Sequence, residues 1–231
     1  MLQLERQHDI MNLLTKRKSV TVKELCNELY ASPATIRRDL AAMEESGLLS
    51  RSFGGAVLNE IFPDQIPISV RAVKNISEKK RIAAKAAQLV HPGDTIFIDA
   101  SSTTYFMAQY LHNTADITVI TNNPHLSLAL AEYRIRSFCT GGEMLNDSAA
   151  YCGSWAERFV RSIRAHKFFF SARGICNNII TDSSKSECDI KIAMMECSQH
   201  SYFCADSKKL GKSSPYVITD ASMLDGIIDE R

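Results

Sequence analysis

The sequence predicts a small winged helix-turn-helix domain over residues 1–57 and an α/β domain with a mostly parallel sheet over residues 77–231. The first region contains short amphipathic helical patterns followed by a Gly-Gly hairpin. In the second region, short apolar runs alternate with helical patterns, as in parallel sheets built from crossover units. Between them, residues 58–76 hold two prolines and little periodicity, which is typical of a linker.

The composition is that of an ordinary globular protein, with 45% hydrophobic and 23% charged residues. No apolar run reaches the ~20 residues that span a bilayer, and the N-terminus is charged, so we expect a cytoplasmic protein with no membrane partner. The cysteines form no C-x-x-C pair and the histidines show no metal spacing, so no metal is expected. The stretches "GICNN" and "TGGE" lack the G-x-G-x-x-G and P-loop spacings, so no nucleotide cofactor is expected either. With a net charge of +1, only the placement of charges can indicate nucleic-acid binding.

The first two helices follow from periodicity and capping. A first helix is predicted over about residues 4–14. Thr21 and Glu24 stand at capping-box spacing and begin a second helix. Its apolar residues repeat at i, i+3, i+4 and i+7, and the break "YAS" separates it from the next helix. Two helices joined by so short a turn form a helix-turn-helix.

The third helix begins in "SPATIRRDL". Ser32 is a good N-cap, and Pro33 suits the first helical position because no N–H is needed there. Apolar residues from Ile36 onward fall on one face, which leaves the threonine and the arginines of this stretch outside. The first turn of such a helix enters the major groove, where arginine pairs with guanine edges and threonine with phosphates or thymine methyls.

A wing is predicted after the third helix. The stretch "LLSRSFGGAV" is typical of a strand, a Gly-Gly turn and a second strand, and Arg51 on it is placed for a backbone phosphate. An Arg-Arg pair on a helix is by itself usually a solvated face. Here the capped helix, the turn, the proline-started helix and the wing occur in order, which favours DNA binding. The residues predicted to contact DNA are Ser32, Thr35, Arg37, Arg38 and Arg51.

These segments resemble the DNA-binding head of the DeoR-type bacterial transcriptional regulators. The resemblance rests on "R-x₃-I" in the first helix, on "VTVKELCNEL" and on "SPATIRRDLAAMEESGLLSRSFGGAV". The pattern "TIRRDL…E…G…R…GGA" is among the more specific winged-helix signatures. The resemblance implies that this region binds double-stranded operator DNA.

The predicted strands of the second domain end in polar or glycine residues. "TIFID" runs into "ASSTT", "ITVIT" into "NNP" and "RSFCT" into "GGE", while "KFFFSA" ends in "RG" and "SYFCA" in "DSKK". Because ligands bind outside the carboxyl ends of parallel strands, these ends predict one pocket. The hydroxyls and the helix N-terminus after Asp99 favour an anion, with positive charge from Lys167, Arg173, Lys208 or Lys209. Taken singly, "ASSTT" is typical of an ordinary helix cap and "NN" of a turn.

The order of these segments is also similar to the sensor domain of the DeoR family, which is similar to ribose-5-phosphate isomerase. The matching segments are "EKKRIA", "IFIDASSTT", "VITNN", "TGGE", "KFFFSARGI", "SECDIKIAMM" and "ADSKKLG". The resemblance implies a phosphorylated sugar as effector. The implied effector-binding residues are Asp99, Ser101, Ser102, Thr103, Asn122, Asn123, Gly141 and Gly142, with Gly153, Lys191 and Lys209 as weaker candidates.

Three features depart from the family pattern. Ser101 stands where many members have glycine, and His166 where an aspartate often precedes the lysine. The chain also stops at "GIIDER", soon after a segment that members usually extend with a further helix and strand. An incomplete sheet edge leaves backbone groups unpaired, which predicts altered stability or oligomerisation.

Together these features predict a repressor of carbohydrate metabolism genes whose operator binding responds to a phosphorylated sugar. A single winged helix buries little surface, so a homo-oligomer, dimer or tetramer, is expected. The main alternative is a sugar-phosphate isomerase-like enzyme with Asp99 or Glu143 as general base, and an architectural DNA-binder is a third. No nucleophile elbow is present, so no catalytic residue is assigned. Trp155 either stacks on a sugar or packs in the core or an interface.

Overall fold

The computed structural model divides into two compact units, of which the first ends at Val73 and the second begins at Lys74. The described residues are 3–45, 49–58 and 74–231. The predicted linker over residues 58–76 falls mostly on residues 59–73, which lie outside the described residues.

The N-terminal unit has three helices and a small antiparallel sheet with strand order β1-β3-β2. Its elements are α1 (Gln3–Arg17), β1 (Ser19–Thr21), α2 (Val22–Leu29), α3 (Pro33–Glu45), β2 (Leu49–Ser52) and β3 (Gly55–Leu58). The predicted winged helix-turn-helix is therefore confirmed. Helix α1 runs past the predicted end at residue 14, and it stops where Lys18 adopts a positive φ of 66°.

The apolar stripes of the three helices meet in one small core. Each helix contributes residues that are almost fully buried, and Val20, Leu49 and Ala56 close the core from the sheet. The wing tip differs from the predicted Gly-Gly turn. Gly54, with φ of 84°, forms the tip with Phe53, whereas Gly55 is the first residue of β3. A side chain at Gly55 is excluded because its Cβ would lie 2.2 Å from the carbonyl oxygen of Val20.

A buried ion pair joins α1 to α3. The guanidinium of Arg6 donates to both carboxylate oxygens of Asp39, with Nη2 lying 3.2 Å from Oδ1. The Asp39 side chain is only 2% exposed. Because a buried carboxylate needs a partner, Arg6 fixes the face of α3 that turns toward the core.

The C-terminal unit is built on a six-stranded, fully parallel sheet with strand order β14-β12-β9-β4-β5-β6. The strands are β4 (Thr95–Ile98), β5 (Thr118–Thr121), β6 (Arg136–Cys139), β9 (Ala165–Phe170), β12 (Ser198–Cys204) and β14 (Gly226–Ile228). This sheet confirms the predicted α/β fold. The stretch "GIIDER" supplies β14, which pairs with β12 and is an edge strand of the sheet.

Helices cover both faces of this sheet. They are α4 (Ile76–Gln88), α5 (Ala108–Leu111), α6 (Pro124–Glu132), α7 (Gly153–Arg161) and α8 (Lys185–Glu196). Alternate side chains of each strand point to opposite faces. Thus Phe97 and Phe168 pack with α7 and α8, whereas Ile98 and Phe169 pack with α4, α5 and α6.

Two smaller sheets accompany the main one. Strands β7 (Glu143–Leu145) and β8 (Ala150–Cys152) form an antiparallel hairpin that leads directly into α7. A second small sheet has the order β10-β11-β13. Its strands are β10 (Gly174–Cys176), β11 (Ile179–Asp182) and β13 (Tyr216–Asp220).

The Arg6–Asp39 pair yields a test of the N-terminal unit. Arg6→Leu should lower the opening free energy of the α3 amides by about 3 kcal/mol, because it leaves the Asp39 carboxylate buried without its partner. Hydrogen exchange of those amides in the full chain measures this. Arg17→Leu, which removes an exposed pair with Glu28, is the matched control and should change it by less than about 1 kcal/mol. Equal losses in the two variants would contradict the assignment.

Candidate functional site

Helix α3 begins with an exposed, capped turn. The backbone N–H of Thr35 donates to Ser32 Oγ at 3.2 Å, and the two hydroxyl oxygens lie 2.9 Å apart. Ser32 is therefore the N-cap that the sequence predicts. Because Ile36 and Leu40 face the core, the opposite side of this turn faces solvent.

Arg37 and Arg38 are both exposed on α3. Within the described part of the chain, neither guanidinium forms an ion pair, in contrast to Arg6. Two exposed arginines without a carboxylate partner, near the start of the second helix of a helix-turn-helix, form a surface suited to phosphates and base edges.

Arg51 on the wing is held by the end of α3. Its Nε donates to Glu44 Oε2 at 2.6 Å, and its backbone N–H donates to Glu44 Oε1 at 2.8 Å. These bonds keep the pKa of Glu44 below its ordinary value. The pair ties the wing to α3, so a phosphate contact by Arg51 has to compete with an intramolecular carboxylate. At the wing tip, Phe53 is fully exposed.

In the C-terminal unit, Asp99 is the centre of the first polar strand end. Its Oδ1 accepts hydrogen bonds from Thr104 Oγ1 at 2.7 Å and Ser101 N at 3.3 Å, and its Oδ2 accepts one from Ser171 N at 3.2 Å. Burial raises the pKa of Asp99 above its ordinary value, against the attraction of Lys191. Asp99 thus holds the loop that follows β4 through hydrogen bonds. A direct contact between Asp99 and an effector stays a prediction.

A buried ammonium group lies beside Asp99. Lys191 Nζ is 2.6 Å from Asp182 Oδ2, 3.7 Å from Glu187 Oε2 and 3.8 Å from Asp99 Oδ2. Burial opposes its charge, but the attraction of these carboxylates outweighs burial and raises the pKa of Lys191. The family resemblance implied Lys191 only as a weaker effector-binding candidate. The sequence did not indicate Asp182 as its partner, because the two side chains meet only through folding.

Two buried polar atoms at the strand ends have no hydrogen-bond partner within the described part of the chain. They are Thr103 Oγ1 and Asn122 Oδ1, in residues that are 1% and 2% exposed. The rest of Asn122 is engaged, since its Nδ2 donates to Tyr151 O at 3.0 Å. An unpartnered buried polar atom costs about 1–3 kcal/mol. Each therefore marks a position where a bound polar group would be stabilised.

Two lysines donate to hydroxyls at the same edge. Lys79 Nζ lies 2.9 Å from Ser102 Oγ, and Lys209 Nζ lies 2.5 Å from Ser171 Oγ. Lys209 and Ser102 thus stand where the sequence predicts an anion site. Lys79 was missed, because a lysine within the amphipathic pattern of α4 looks like an ordinary surface residue, whereas it is 4% exposed.

Lys167 does not belong to this edge. It lies near the start of β9, where its Nζ contacts Asp94 Oδ2 at 2.6 Å just before β4 begins. That is the amino edge of the parallel sheet, opposite to the predicted pocket, so the suggestion that Lys167 supplies its positive charge is wrong. His166 is at the same amino edge, where its Nδ1 accepts the backbone N–H of Thr95 at 2.9 Å.

The remaining predicted residues have conformational roles. Asn123 Oδ1 accepts the N–H groups of His125 and Leu126 at 3.0 and 3.2 Å and so caps α6. Gly141 and Gly142 have φ of 62° and 115°. A side chain at Gly142 is also excluded by space, because its Cβ would lie 2.6 Å from the carbonyl oxygen of Cys152. Ser101 Oγ accepts the N–H of Thr104 at 3.2 Å, so it shapes its loop.

An open cleft adjoins this glycine turn, with a volume of about 430 Å³. Its lining consists of Gly142, Glu143, Cys152, Gly153, Ser154 and Trp155. It lies where the β7–β8 hairpin enters α7, next to the backbone of Tyr151 that binds Asn122. Cys152 of the lining thus directly follows the residue whose backbone binds Asn122.

Two classes of feature are absent from the described residues. Among them, no group of three or more His, Cys, Asp or Glu side chains is arranged to hold a metal ion. None of the helices in those ranges is both long and apolar enough to cross a membrane.

Family models match both units. The DeoR-like helix-turn-helix domain matches residues 6–62, and the DeoR C-terminal sensor domain matches residues 74–231. The chain belongs to the DeoR family of transcriptional regulators. The predicted family membership is thus confirmed, and this DeoR-family protein is a DNA-binding regulator.

Several characterised regulators are similar along most of their length. The transcriptional regulator GolR of Listeria innocua is 34% identical over 100% of this chain and 92% of its own. The lactose phosphotransferase system repressor of Staphylococcus epidermidis is 32% identical over 90% of this chain and 84% of its own. The transcriptional repressor GlcR of Bacillus subtilis is 31% identical over 100% of this chain and 90% of its own.

Solved structures share the fold of the DeoR-family protein at low identity. The eIF2B delta subunit of Chaetomium thermophilum superposes with a TM-score of 0.52 at 16% identity. The match covers 68% of this chain and 57% of that chain. This likeness shows the fold alone.

The exposed arginines of α3 give a test of the DNA surface. Arg37→Ala and Arg38→Ala should each weaken operator binding by about 1–3 kcal/mol if the side chain pairs with a base edge. Fluorescence anisotropy at fixed salt on DNA from upstream of the protein's own gene measures this. Arg158→Ala, an exposed arginine on α7, is the control and should bind as the wild type does. Wild-type affinity in both α3 variants would contradict the assignment.

The neighbouring threonines of the loop after β4 give a stability test. Thr103→Val removes a hydroxyl that has no hydrogen-bond partner among the described residues, so the free energy of unfolding should fall by less than about 1 kcal/mol or rise. Thr104→Val removes the donor to Asp99 and should lower it by about 1–3 kcal/mol. Urea unfolding followed by circular dichroism compares the two. The reverse order of losses would show that the hydrogen bonds are assigned wrongly.

Proposed function

We propose that this protein is a repressor of carbohydrate genes whose affinity for operator DNA changes when a phosphorylated sugar binds at the carboxyl edge of its parallel sheet. The relatives support this proposal, because a lactose phosphotransferase system repressor and GlcR are similar over nearly the whole chain. The sugar, the direction of the response and the genes controlled are parts of the proposal.

The observation that carries the effector proposal is that two buried polar atoms at the strand ends, Thr103 Oγ1 and Asn122 Oδ1, have no hydrogen-bond partner among the described residues. They follow two adjacent parallel strands, β4 and β5. A hydroxyl that can donate and an amide oxygen that accepts together suit a ligand with both kinds of group. The ammonium groups of Lys79 and Lys209 at the same edge favour an anion, which supports a phosphate on that ligand.

The effector can control DNA binding only if it binds two arrangements of the protein with different affinities. An effector shifts the occupancy of DNA only by the ratio of its affinities for the DNA-competent and DNA-incompetent arrangements. We propose that the chain acts as a symmetric oligomer, since paired recognition helices reach two half-sites about 34 Å apart along the duplex.

We propose that the site binds without catalysis. An isomerase requires a general base within reach of its substrate. Asp99, the first candidate base, is 1% exposed, and both of its oxygens accept hydrogen bonds from protein groups. Glu143 is exposed on the open cleft.

The effector response is the decisive test. In anisotropy titrations on operator DNA, one hexose phosphate should change the affinity of the wild type, whereas its unphosphorylated sugar should not. Thr103→Val should bind DNA like the wild type but require about five- to tenfold more effector, because it loses one hydrogen-bond partner of the ligand.

Two other outcomes would contradict parts of this proposal. If no hexose phosphate alters DNA binding, the effector assignment fails while the DNA-binding assignment stands. If the purified protein interconverts ribose 5-phosphate and ribulose 5-phosphate, the isomerase alternative replaces the proposal that the site has no catalytic activity.

A further inference from the structure

Trp155 is the single tryptophan of the chain, and its side chain is exposed. It stands in the first turn of α7 and is 70% exposed, whereas Ala156 and Val160 are the residues of that helix in the core. Its ring stacks on no other aromatic ring within the described residues. The structure thus excludes core packing and leaves stacking on a ligand or contact with another subunit.

The surroundings of Trp155 favour a ligand. Trp155 lines the open cleft of about 430 Å³ together with Glu143. The Glu143 carboxylate is exposed and forms no ion pair within the part of the chain that the structure describes. An aromatic face beside a free carboxylate suits a sugar ring, whose C–H groups pack on the ring while its hydroxyls donate to the carboxylate.

Two glycines line this cleft, and the backbone next to it binds Asn122 of the proposed effector site. Glu143 Oε2 lies 4.0 Å from where a Cβ at Gly153 would stand, so Gly153 borders the Glu143 carboxylate. Gly142 packs against the backbone of Cys152, the residue after Tyr151. Asn122 binds that same Tyr151 backbone on both sides, through Nδ2 and through its own carbonyl.

The start of α7 adds a polar surface for hydroxyls. Its N-cap, Cys152, makes no side-chain capping bond, and the first turn carries no acidic residue. The N–H groups of this turn therefore lack the partner that a Ser, Thr or Asp cap supplies. These N–H groups belong to the same turn as Trp155.

We propose that Trp155 is the platform on which the sugar ring of the effector stacks, and that Glu143 selects its hydroxyl pattern. This inference rests on the proposed function and deepens it. The phosphate is held at the lysine-bearing strand ends, whereas the cleft at α7 recognises the ring. Specificity for a cyclic hexose phosphate over an acyclic phosphate of similar charge follows from this division.

The experiment uses isothermal titration calorimetry on the full-length wild type, Trp155→Ala, Trp155→Phe and Glu143→Gln. The probes are glucose 6-phosphate, fructose 6-phosphate, fructose 1-phosphate, glycerol 3-phosphate and inorganic phosphate. Trp155→Ala should weaken the hexose phosphate that binds by about five- to tenfold, and Trp155→Phe by less than about threefold. Affinity for inorganic phosphate and for glycerol 3-phosphate should be unchanged in both, and Glu143→Gln should change the order of preference among the hexose phosphates.

Because Trp155 is the sole tryptophan, its emission gives an independent measurement on the wild type. The hexose phosphate should shift this emission, and inorganic phosphate should not. Unchanged hexose phosphate affinity in Trp155→Ala would overturn the inference, as would a smaller oligomer for that variant in sedimentation, which would make Trp155 a subunit contact. If the wild type binds no sugar phosphate at all, the proposed function fails and this inference fails with it.

Discussion

In the C-terminal unit, polar side chains can collect only at the two ends of the parallel strands, which form the amino edge and the carboxyl edge of the sheet. Both faces are covered by helices, and residues such as Phe97, Ile98, Phe168 and Phe169 fill the layers on either side. Polar groups inside those layers would be buried without water, which is costly. Hydroxyl, amide and ammonium groups therefore collect where the strands end.

The two edges differ in what they leave unsatisfied. At the amino edge, Lys167 binds Asp94 at 2.6 Å, so the ammonium and the carboxylate satisfy each other. At the carboxyl edge, Lys191 lies 2.6 Å from Asp182 and 3.8 Å from Asp99, whereas Thr103 Oγ1 and Asn122 Oδ1 have no hydrogen-bond partner among the described residues. Polar atoms without partners, held next to a cluster of paired charges, are the arrangement expected of a preorganised binding site.

The N-terminal unit follows the same principle of rigid support. The Arg6–Asp39 pair and the apolar stripe of α3 fix one side of that helix to the core. The opposite side, with Arg37 and Arg38, is then exposed in a defined orientation. The ion pair between Glu44 and Arg51 links the wing to the same helix, so helix and wing present one surface.

Local patterns alone determined much of this protein. Capping at Thr21 and Ser32, apolar periodicity and the alternation of strands with helices gave both folds, because these features act between residues close in sequence. The polar strand ends correctly indicated which loops converge, since parallel strands align their ends.

The tertiary structure decided the roles within those loops. Lys79 and Ser102, or Lys191 and Asp182, meet only when distant segments pack, and burial then determines whether a polar atom is satisfied or left for a ligand. The same cause left Trp155 exposed, because sequence spacing specifies a helix face but not what packs against it.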